Sequence, residues 1–332
     1  MNSIFPVHSI DRSISRWENY LWNLTPVEQI GGIWYKREDK FAPLGYHSIN
    51  GSKLRQCLWL VNGWVKEKGI RGVISGSVVG SPQHPFISSI CKHYDLGCLI
   101  VTGAKDYMKH KNMQLAEQAG AKFIVTNIGY AKALQSKCFQ FKEKIPAHEV
   151  LETNITLDDR LNPPDRIEGF HKVGSIQVNN IPDHIETIII PCGSCNSVTS
   201  IMYGLFNKMP KSLKRVILMG IGNNGSKNLN YIPHRLELIS RVIGKPVNKA
   251  FNYRFLNTSN PKGIDVLHFN PNGEGYCTYE DWMPYEIDGV ELHPRYEGKC
   301  LNYIKSYPHK FEQYWNENTL FWIVGNEPKY LW

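Results

Sequence analysis

The chain has 332 residues, of which 42% are hydrophobic and 20% are charged, and this composition is typical of a folded protein with a sizeable core. No run of eighteen apolar residues occurs, so a membrane-spanning helix is not expected. The formal net charge of +8 fits a polyanionic partner such as nucleic acid, but the basic residues are dispersed along the sequence, which favours a solvated surface with an excess of lysine.

The N-terminus and the cysteines bear on the cellular compartment. Met1–Pro6 lacks the basic flank and apolar core of a signal peptide. The eight cysteines are scattered without the pattern of a disulfide framework. We therefore expect a cytoplasmic protein with free thiols.

The first half of the chain alternates strands with helices. A strand expected at 33–38 is followed by the turn Asn50-Gly51-Ser52, which precedes the apolar run 58–61 and predicts a helix start. Further strands are predicted at 72–75, 98–101 and 122–125, and helices at 85–95, 107–119 and 130–143. This order is typical of a parallel sheet with helices on its faces.

The second half repeats the alternation after an interruption at Pro163-Pro164. Helices are predicted at 169–179, 197–207 and 231–243, and strands at 187–190, 216–219, 266–269 and 320–324. We interpret the proline pair as a crossing between two domains. The expected division is a large domain of 1–55 with 163–332 and a small domain of 56–162.

Lys53 stands directly after the Gly-Ser turn, at the predicted helix start. A lysine held there by its backbone and desolvated in a cleft has a lowered pKa and forms a Schiff base with an aldehyde. For a lone lysine, a solvated surface position is the commoner explanation. The choice depends on what lies further along the chain.

The loop that follows the strand at 187–190 is rich in small and hydroxyl residues. Ser194, Asn196 and Ser197 precede or begin a helix, where backbone N–H groups and the helix dipole favour an anion such as phosphate. The same residues also serve as ordinary helix caps. From the residues alone, both interpretations stay open.

Two further motifs match known patterns weakly. Cys192-Gly193-Ser194-Cys195 is a Cys-x-x-Cys at a helix start, but a redox unit is much smaller than this chain, and no second Cys or His pair supports a metal site. Gly220–Gly225 matches Gly-x-Gly-x-x-Gly after a strand, without the acidic residue that a dinucleotide site requires. We interpret it as a loop at the carboxyl edge of the sheet, and no metal is expected.

Glu297 follows Tyr296 and precedes a helical run. A carboxylate facing a pyridine nitrogen keeps that nitrogen protonated and strengthens an electron sink. The alternative is an acid at a helix start, favoured by the helix dipole.

Together these motifs resemble the pyridoxal-phosphate enzymes of the tryptophan synthase β fold, known as fold type II. Within that fold they most resemble the 1-aminocyclopropane-1-carboxylate deaminase and D-cysteine desulfhydrase group. The resemblance extends from Tyr35-Lys36-Arg37-Glu38-Asp39 to Thr319-Leu320-Phe321-Trp322 and depends on the order and separation of short motifs. It implies a two-lobed α/β protein, each lobe a mostly parallel sheet flanked by helices, with pyridoxal 5'-phosphate in the cleft. It also implies a homodimer.

The resemblance assigns roles to individual residues. Lys53 matches the Schiff-base lysine of the family's Gly-Asn-Lys-x-Arg motif, and Tyr296-Glu297 matches the Tyr-Glu pair of the deaminases. The implied cofactor-binding residues are Lys53, Gly193, Ser194, Cys195, Asn196, Ser197 and Glu297. The implied catalytic residues are Lys53, Tyr296 and Ser81, and the implied substrate residues are Ser81, Gln83 and Tyr276.

The chain departs from the family's pattern mainly in the substrate loop. Pro82 follows Ser81 where the family has asparagine, which removes an amide expected to contact the cofactor. Cys195 and Asn196 stand in a phosphate loop that is usually glycine-rich, and Val324-Gly325-Asn326 replaces the usual paired glycines.

The expected activity follows from this resemblance. The main hypothesis is a lyase or deaminase that acts at Cα of a small amino acid through a carbanion. The alternative is a decarboxylase or lyase acting on an amino-acid group carried on a larger molecule, such as a modified pyrimidine base in DNA. The net charge and the altered substrate loop favour the alternative, and the direct resemblance favours the main hypothesis. A third hypothesis is a non-catalytic binding protein that has kept the fold.

Overall fold

The computed structural model describes residues 20–45, 49–103, 105–155, 157–221, 228–256 and 260–328. Within these ranges the strands are β1 (Val27–Ile30), β2 (Ile33–Arg37), β3 (Gly72–Gly76), β4 (Gly97–Thr102), β5 (Lys122–Val125), β6 (His148–Leu151), β7 (Thr187–Cys192), β8 (Arg215–Gly220), β9 (Phe251–Tyr253), β10 (Ile264–Phe269), β11 (Glu286–Ile287), β12 (Val290–Glu291) and β13 (Thr319–Ile323). The α-helices are α1 (Ser52–Lys68), α2 (Gln83–His93), α3 (Lys111–Gln118), α4 (Ala131–Lys144), α5 (Pro164–Ser175), α6 (Asn196–Asn207), α7 (Tyr231–Ile243), α8 (Glu297–Ser306) and α9 (Pro308–Phe311).

Contacts between residues divide the chain into two compact units. The first unit contains Ala42–Leu157 together with the described residues before Leu24 and after Asn326. The second unit contains Leu24–Phe41 and Asp158–Asn326. The domain boundaries expected from the sequence stay a prediction.

The first unit is built on a four-stranded sheet in the order β5-β4-β3-β6, and all its pairs are parallel. Helices α2 and α4 pack against its strands. Parallel pairing brings the carboxyl ends of β3, β4 and β5 to one edge of the sheet, where the loops that follow these strands meet.

The second unit is built on a seven-stranded sheet in the order β1-β2-β13-β7-β8-β10-β9. Every pair is parallel except β1 with β2, which form an antiparallel hairpin. The central strand β7 has no exposed residue, because Ile188 and Ile190 face one core and Ile189 faces another. Residues of α6 and α7 complete the first core, and residues of α8 and α9 complete the second.

These sheets confirm the expected α/β class, with parallel strands flanked by helices. One boundary in the second half was wrong: the helix expected at 169–179 begins at Pro164 and ends at Ser175, followed by a 3-10 turn at Ile176–Asn180. Proline in the first turn of a helix loses no hydrogen bond, so the proline pair starts this helix instead of only interrupting the pattern. In the described ranges, no helix is both long and apolar enough to cross a bilayer.

Candidate active site

Lys53 lies in the first turn of α1, in the first unit. The preceding Gly51 has φ +94°, a backbone conformation that a residue with a side chain rarely adopts, so the turn requires glycine. Burial lowers the pKa of the Lys53 ammonium, and the nearby Cys57 opposes part of that effect. A lysine with a lowered pKa carries more of the neutral, nucleophilic amine near neutral pH.

Arg55 fixes the position of this turn. Its side chain is completely buried, and its Nη1 donates to the carbonyl oxygens of Leu21, at 2.5 Å, and Asn23, at 3.2 Å. A charged group is buried at this depth only when it is hydrogen-bonded. The arginine of the Lys-x-Arg motif therefore holds the start of α1 against residues 21–23.

Ser81 and Gln83 lie in the loop between β3 and α2. The Ser81 hydroxyl accepts a hydrogen bond from the Gln83 backbone N–H at 3.3 Å. The Gln83 side chain is buried, and its Nε2 donates to Ser75 Oγ at 3.0 Å and to the carbonyl oxygen of Glu152 at 3.2 Å. Gln83 Oε1 accepts no hydrogen bond from any described residue.

The backbone of this loop offers few donors to a ligand. The N–H groups of Ser81, Gln83 and His84 all donate within 78–84. Pro82 and Pro85 have no N–H, and the N–H of Phe86 donates to the carbonyl oxygen of Pro82. Between residues 81 and 86, no backbone N–H remains to hold a substrate carboxylate.

His84 is a residue of this unit that the sequence did not single out. It is completely buried, and its Nε2 lies 3.1 Å from the carbonyl oxygen of Val78. Burial, with a smaller contribution from the positive charge of Lys53, lowers the pKa of His84 to about 4. The imidazole is therefore neutral near pH 7 and lies close to the Lys53 amine.

The loop between β7 and α6, in the second unit, has the geometry of an anion site. Cys195 adopts φ +64°, which turns the chain sharply into the helix. The carbonyl of Gly193 accepts from Asn228 Nδ2 at 2.9 Å, and that of Ser194 accepts from Arg235 Nη1 at 3.2 Å. In the described part of the chain, the backbone N–H groups of Gly193, Ser194 and Cys195 donate to no acceptor. Unpaired N–H groups at a helix N-terminus bind a phosphate well.

Asn228 and Arg235 are thus positioning residues that the sequence did not reveal. Arg235 lies within α7, where its spacing is that of any helical residue, and Asn228 follows Gly222–Lys227. Neither shows a local pattern, because each acts on a loop more than thirty residues away in sequence. The part of the Gly-x-Gly-x-x-Gly motif from Gly222 onward lies outside the described residues.

Cys192 and Cys195 point toward each other in this loop, with 3.3 Å between their sulfur atoms. Burial and the neighbouring sulfur raise the pKa of the Cys192 thiol well above its ordinary value. A buried thiol with a raised pKa is not the reactive thiolate of a redox motif. The pair fills the space beneath the loop.

Glu297 begins α8 and is completely buried. Its Oε1 accepts from the backbone N–H of Val324 at 2.7 Å, just beyond the end of β13. Burial raises its pKa to about 8, although hydrogen bonds from backbone N–H groups act in the opposite direction. Its Oε2 has no hydrogen-bond partner among the described residues. With this pKa, the carboxyl group is mostly protonated near pH 7 in the cofactor-free protein. A buried carboxyl oxygen without a partner is costly, and a cationic N–H donor from a ligand would pair with it and favour its ionised form.

The phosphate loop and Glu297 lie at the same edge of the second sheet. Strands β7 and β13 are parallel neighbours, the loop follows β7, and Glu297 bonds the residue that follows β13. Tyr296, the residue before Glu297, also lies close to the loop, because a Cβ atom on Gly193 would lie 3.6 Å from the Tyr296 ring. This arrangement fits a flat ring with a phosphate at one end and an N–H donor at the other.

The remaining tyrosines differ in position. Burial raises the pKa of Tyr296 well above its ordinary value, so its hydroxyl stays protonated and acts as a donor near neutral pH. Tyr276 bonds Ser306 at 3.1 Å, at the end of α8 opposite Glu297, and packs on Tyr303. The structure therefore does not bring the Tyr276 hydroxyl to Glu297, and its assigned substrate role stays a prediction.

Comparison with known proteins identifies the family. No family model matches the sequence. The "O-seryl-dTMP PLP-dependent decarboxylase" of Salmonella phage ViI is 38% identical over 378 aligned positions, which include 98% of this chain and 87% of that protein. This chain belongs to that family of pyridoxal-phosphate enzymes.

Solved structures agree on the fold. An "ACC deaminase homologue" matches with a TM-score of 0.68 at 16% identity, covering 91% of this chain and 89% of that chain. Threonine deaminase isoform 2 from Solanum lycopersicum matches with a TM-score of 0.58 at 13% identity, covering 97% and 92%. The Helicobacter pylori O-acetylserine-dependent cystathionine β-synthase matches with a TM-score of 0.57 at 12% identity, covering 97% of each chain. These similarities confirm fold type II.

Pyridoxal 5'-phosphate is the cofactor, as the sequence predicted, and the described residues fit it. The unpaired N–H groups of 193–195 suit its phosphate, and Glu297 Oε2 suits its protonated ring nitrogen. The Lys53 amine, with its lowered pKa, suits its aldehyde. The assignment of these residues to the cofactor is our proposal.

The phosphate loop is tested by changing Ser197 to aspartate. A negative charge in the first turn of α6 favours the helix dipole, so a residue that only caps the helix tolerates the change. A phosphate in the loop is repelled by the same charge. We expect cofactor affinity to fall at least about tenfold, equivalent to ~1.4 kcal/mol, while the melting temperature of the cofactor-free protein stays close to wild type.

Ser197→Asn is the matched control, because it has the size of aspartate without the charge. Titration with pyridoxal phosphate, followed by absorbance, measures both variants. Wild-type affinity for pyridoxal phosphate in Ser197→Asp would mean that this loop only caps the helix and does not bind the phosphate.

Proposed function

We propose that this protein is a pyridoxal-phosphate-dependent decarboxylase acting on a seryl group joined through its oxygen to a thymine nucleotide. The observation that carries the proposal is the 38% identity, over 98% of this chain, to the O-seryl-dTMP decarboxylase. This is the alternative activity that the sequence suggested, and it is preferred to deamination or β-elimination of a small amino acid.

The substrate loop supports decarboxylation. Loss of CO2 disperses the charge of the carboxylate, so donors that stabilise this charge in the bound substrate raise the barrier. Between residues 81 and 86, every backbone N–H is absent or used internally. A carboxylate beside Ser81 therefore meets few backbone donors, which favours its departure. Pro82 contributes directly, because it removes one N–H from the loop.

Lys53 is the proposed proton donor. When bound, pyridoxal phosphate supplies an electron sink that stabilises the negative charge left at Cα. The C–CO2 bond breaks, its electron pair stays at Cα, and a proton then replaces the carboxyl group there. We assign this proton to the Lys53 ammonium, whose lowered pKa makes it a better acid than an exposed lysine. The neutral His84 nearby adds no positive charge to compete with it.

Glu297 and Tyr296 would set the electronic environment in the second unit. Glu297 Oε2 accepts the N–H of a protonated pyridine ring and keeps that proton in place by its negative charge. The Tyr296 hydroxyl, with its raised pKa, stays a donor throughout. In this proposal, Glu297 and Tyr296 do not transfer the proton to Cα, and Lys53 does.

The test uses the holoenzyme and an O-seryl thymidine nucleotide labelled with ¹³C at the seryl carboxyl carbon. Decarboxylation gives labelled CO2 and a primary amine, the 2-aminoethyl ether of the nucleotide, in equal amounts. Mass spectrometry of the nucleotide product and of the headspace gas measures both.

The competing activity gives different products from the same substrate. β-Elimination breaks the Cβ–O bond and leaves the nucleotide with a free hydroxyl group. Water then hydrolyses the three-carbon fragment to pyruvate and ammonia, with the label kept in pyruvate. Labelled pyruvate in place of labelled CO2 would contradict the decarboxylase proposal and support a deaminase-type activity. If neither labelled CO2 nor labelled pyruvate is formed, both proposed activities are contradicted.

A further inference from the structure

The positive charge of this protein is concentrated in one part of the chain. Residues 42–157 contain fourteen Lys and Arg residues and seven Asp and Glu residues, a formal charge of +7 out of the total of +8. The rest of the chain is therefore close to neutral. A polyanion is attracted mainly to the first unit.

Loops at the carboxyl edge of the first sheet contact one another. Asn112 Nδ2, in the loop-proximal turn of α3, donates to the carbonyl oxygen of Gly80 at 2.8 Å, next to Ser81. A Cβ atom on Gly103 would lie 2.3 Å from the Cα of Gly129, so the segments after β4 and β5 touch backbone to backbone. These loops form a continuous surface beside the substrate loop.

Lys105 and Lys109 lie on the segment that joins β4 to α3, and Lys111 begins α3. We call these three lysines the lysine edge. All three are exposed, as is the neighbouring His110. The only acid between residues 105 and 116 is Asp106, which pairs with Lys109 at 2.8 Å and is itself exposed. An exposed pair of this kind is weak and yields readily to a competing anion.

An aromatic ring stands at the same edge. Tyr130 follows the segment after β5 and is 69% exposed, the largest exposure among the large hydrophobic side chains that the structure describes as exposed. An exposed tyrosine is suited to stacking with an unpaired base. A small amino acid is too short to contact such an extended cationic and aromatic surface.

We propose that the lysine edge binds the sugar-phosphate backbone of DNA that carries the substrate base. This inference rests on the proposed function, because it names the molecule to which the thymine nucleotide belongs. Lysines on a single segment neutralise several successive phosphates, whereas a free mononucleotide engages only one of them. Backbone contact there places a base beside Ser81, because Asn112 ties that part of the edge to the substrate loop.

The test measures binding of the holoenzyme to a fluorescent DNA oligonucleotide without modified bases, at several salt concentrations. The variant Lys105→Ala/Lys109→Ala/Lys111→Ala removes the lysine edge. We expect its affinity at low salt to fall at least about tenfold. The slope of log affinity against log salt should become shallower by about 2 to 3, because each lost phosphate contact removes ~0.7 to 0.9 from it.

The control variant is Lys66→Ala/Lys92→Ala/Lys144→Ala. It removes the same charge from exposed lysines in the last turns of α1, α2 and α4, which lead to the opposite edge of the sheet. We expect its salt slope to match that of the wild type. Equal losses in both variants would mean that only net charge matters, and either that result or an unchanged lysine-edge variant would overturn the proposal.

A second assay separates this proposal from the proposed function. The lysine-edge variant should keep the wild-type kcat on the O-seryl mononucleotide, and its KM for the mononucleotide should rise by less than its DNA affinity falls, because the mononucleotide loses at most one phosphate contact. If the wild type decarboxylates the mononucleotide but does not bind DNA at low salt, the lysine-edge proposal fails and the function stands. If it binds DNA through the lysine edge but releases no CO2 from either substrate, the decarboxylase assignment fails instead.

Discussion

Lys53→Ala is expected to lower turnover by about a thousandfold or more, the scale of ~4 kcal/mol of transition-state stabilisation. The variant loses the amine that we assign to the cofactor's aldehyde and, as the ammonium, to proton donation at Cα. The turn at Gly51 and the anchor at Arg55 are untouched, so the fold should persist. Rates of CO2 release from the O-seryl nucleotide measure the effect, and the melting temperature checks the fold.

Lys66→Ala is the matched control for this variant, because Lys66 is an exposed lysine of the same helix. It should turn over at the wild-type rate. Borohydride reduction of the wild-type holoenzyme followed by peptide mapping should place the cofactor on the peptide that contains Lys53. A label on a different lysine would show that the Schiff-base residue has been misassigned.

Glu297→Gln is expected to slow turnover by about a hundredfold, which corresponds to ~3 kcal/mol. Glutamine keeps the size and the hydrogen bond from the Val324 N–H but loses the charge that we propose to hold a proton on the ring nitrogen. Cofactor binding should persist, because Lys53 and the phosphate loop are unchanged. Single-turnover kinetics isolate the chemical step from substrate binding.

Glu312→Gln removes an exposed carboxylate from the same unit and serves as the control. The cofactor-free protein gives a readout of Glu297 that does not depend on activity. Its pKa near 8 exceeds the ordinary value of 4.5, so the folded state binds a proton that the unfolded state has lost between these pH values. The free energy of unfolding therefore falls as pH rises from about 5 to about 8.

This fall in stability should be smaller in Glu297→Gln, which has no group to titrate. Unchanged turnover together with an unchanged pH profile would show that Glu297 is neither buried as described nor paired with the ring.

The strands and the order of the motifs were accessible from the sequence because they depend on local patterns. The β-branched run in β7 predicted a strand buried on both faces, and the two cores on either side of Ile189 confirm it. Short strands such as β6 and β9 escaped prediction because their residues carry no clear alternation. The homodimer and the cytoplasmic location stay predictions.

The competing interpretations of the candidate site required distances between residues far apart in the chain. From the sequence, the loop at 193–197 fits a helix cap and an anion site equally. The bonds from Asn228 and Arg235 to its carbonyl oxygens favour the anion site, which stays a proposal. Glu297 reads as an ordinary helix-start acid until its burial and its unpaired Oε2 are known. The sequence shows which hydrogen-bonding groups are present, but it does not show which of them already have a partner within the protein.

The sequence by itself determined the α/β class, the strand-helix order and the residue types that suit pyridoxal phosphate, because turn chemistry and hydrophobic periodicity act over a few residues. Only the tertiary structure decided which backbone N–H groups already have acceptors and which side chains have shifted pKa values. It showed that the N–H groups of 81–86 are used internally and that Asn112, which follows the exposed Lys111, bonds the carbonyl of Gly80 next to Ser81. Hydrogen-bond satisfaction and desolvation depend on atoms brought together from distant parts of the chain, and local pattern does not encode them.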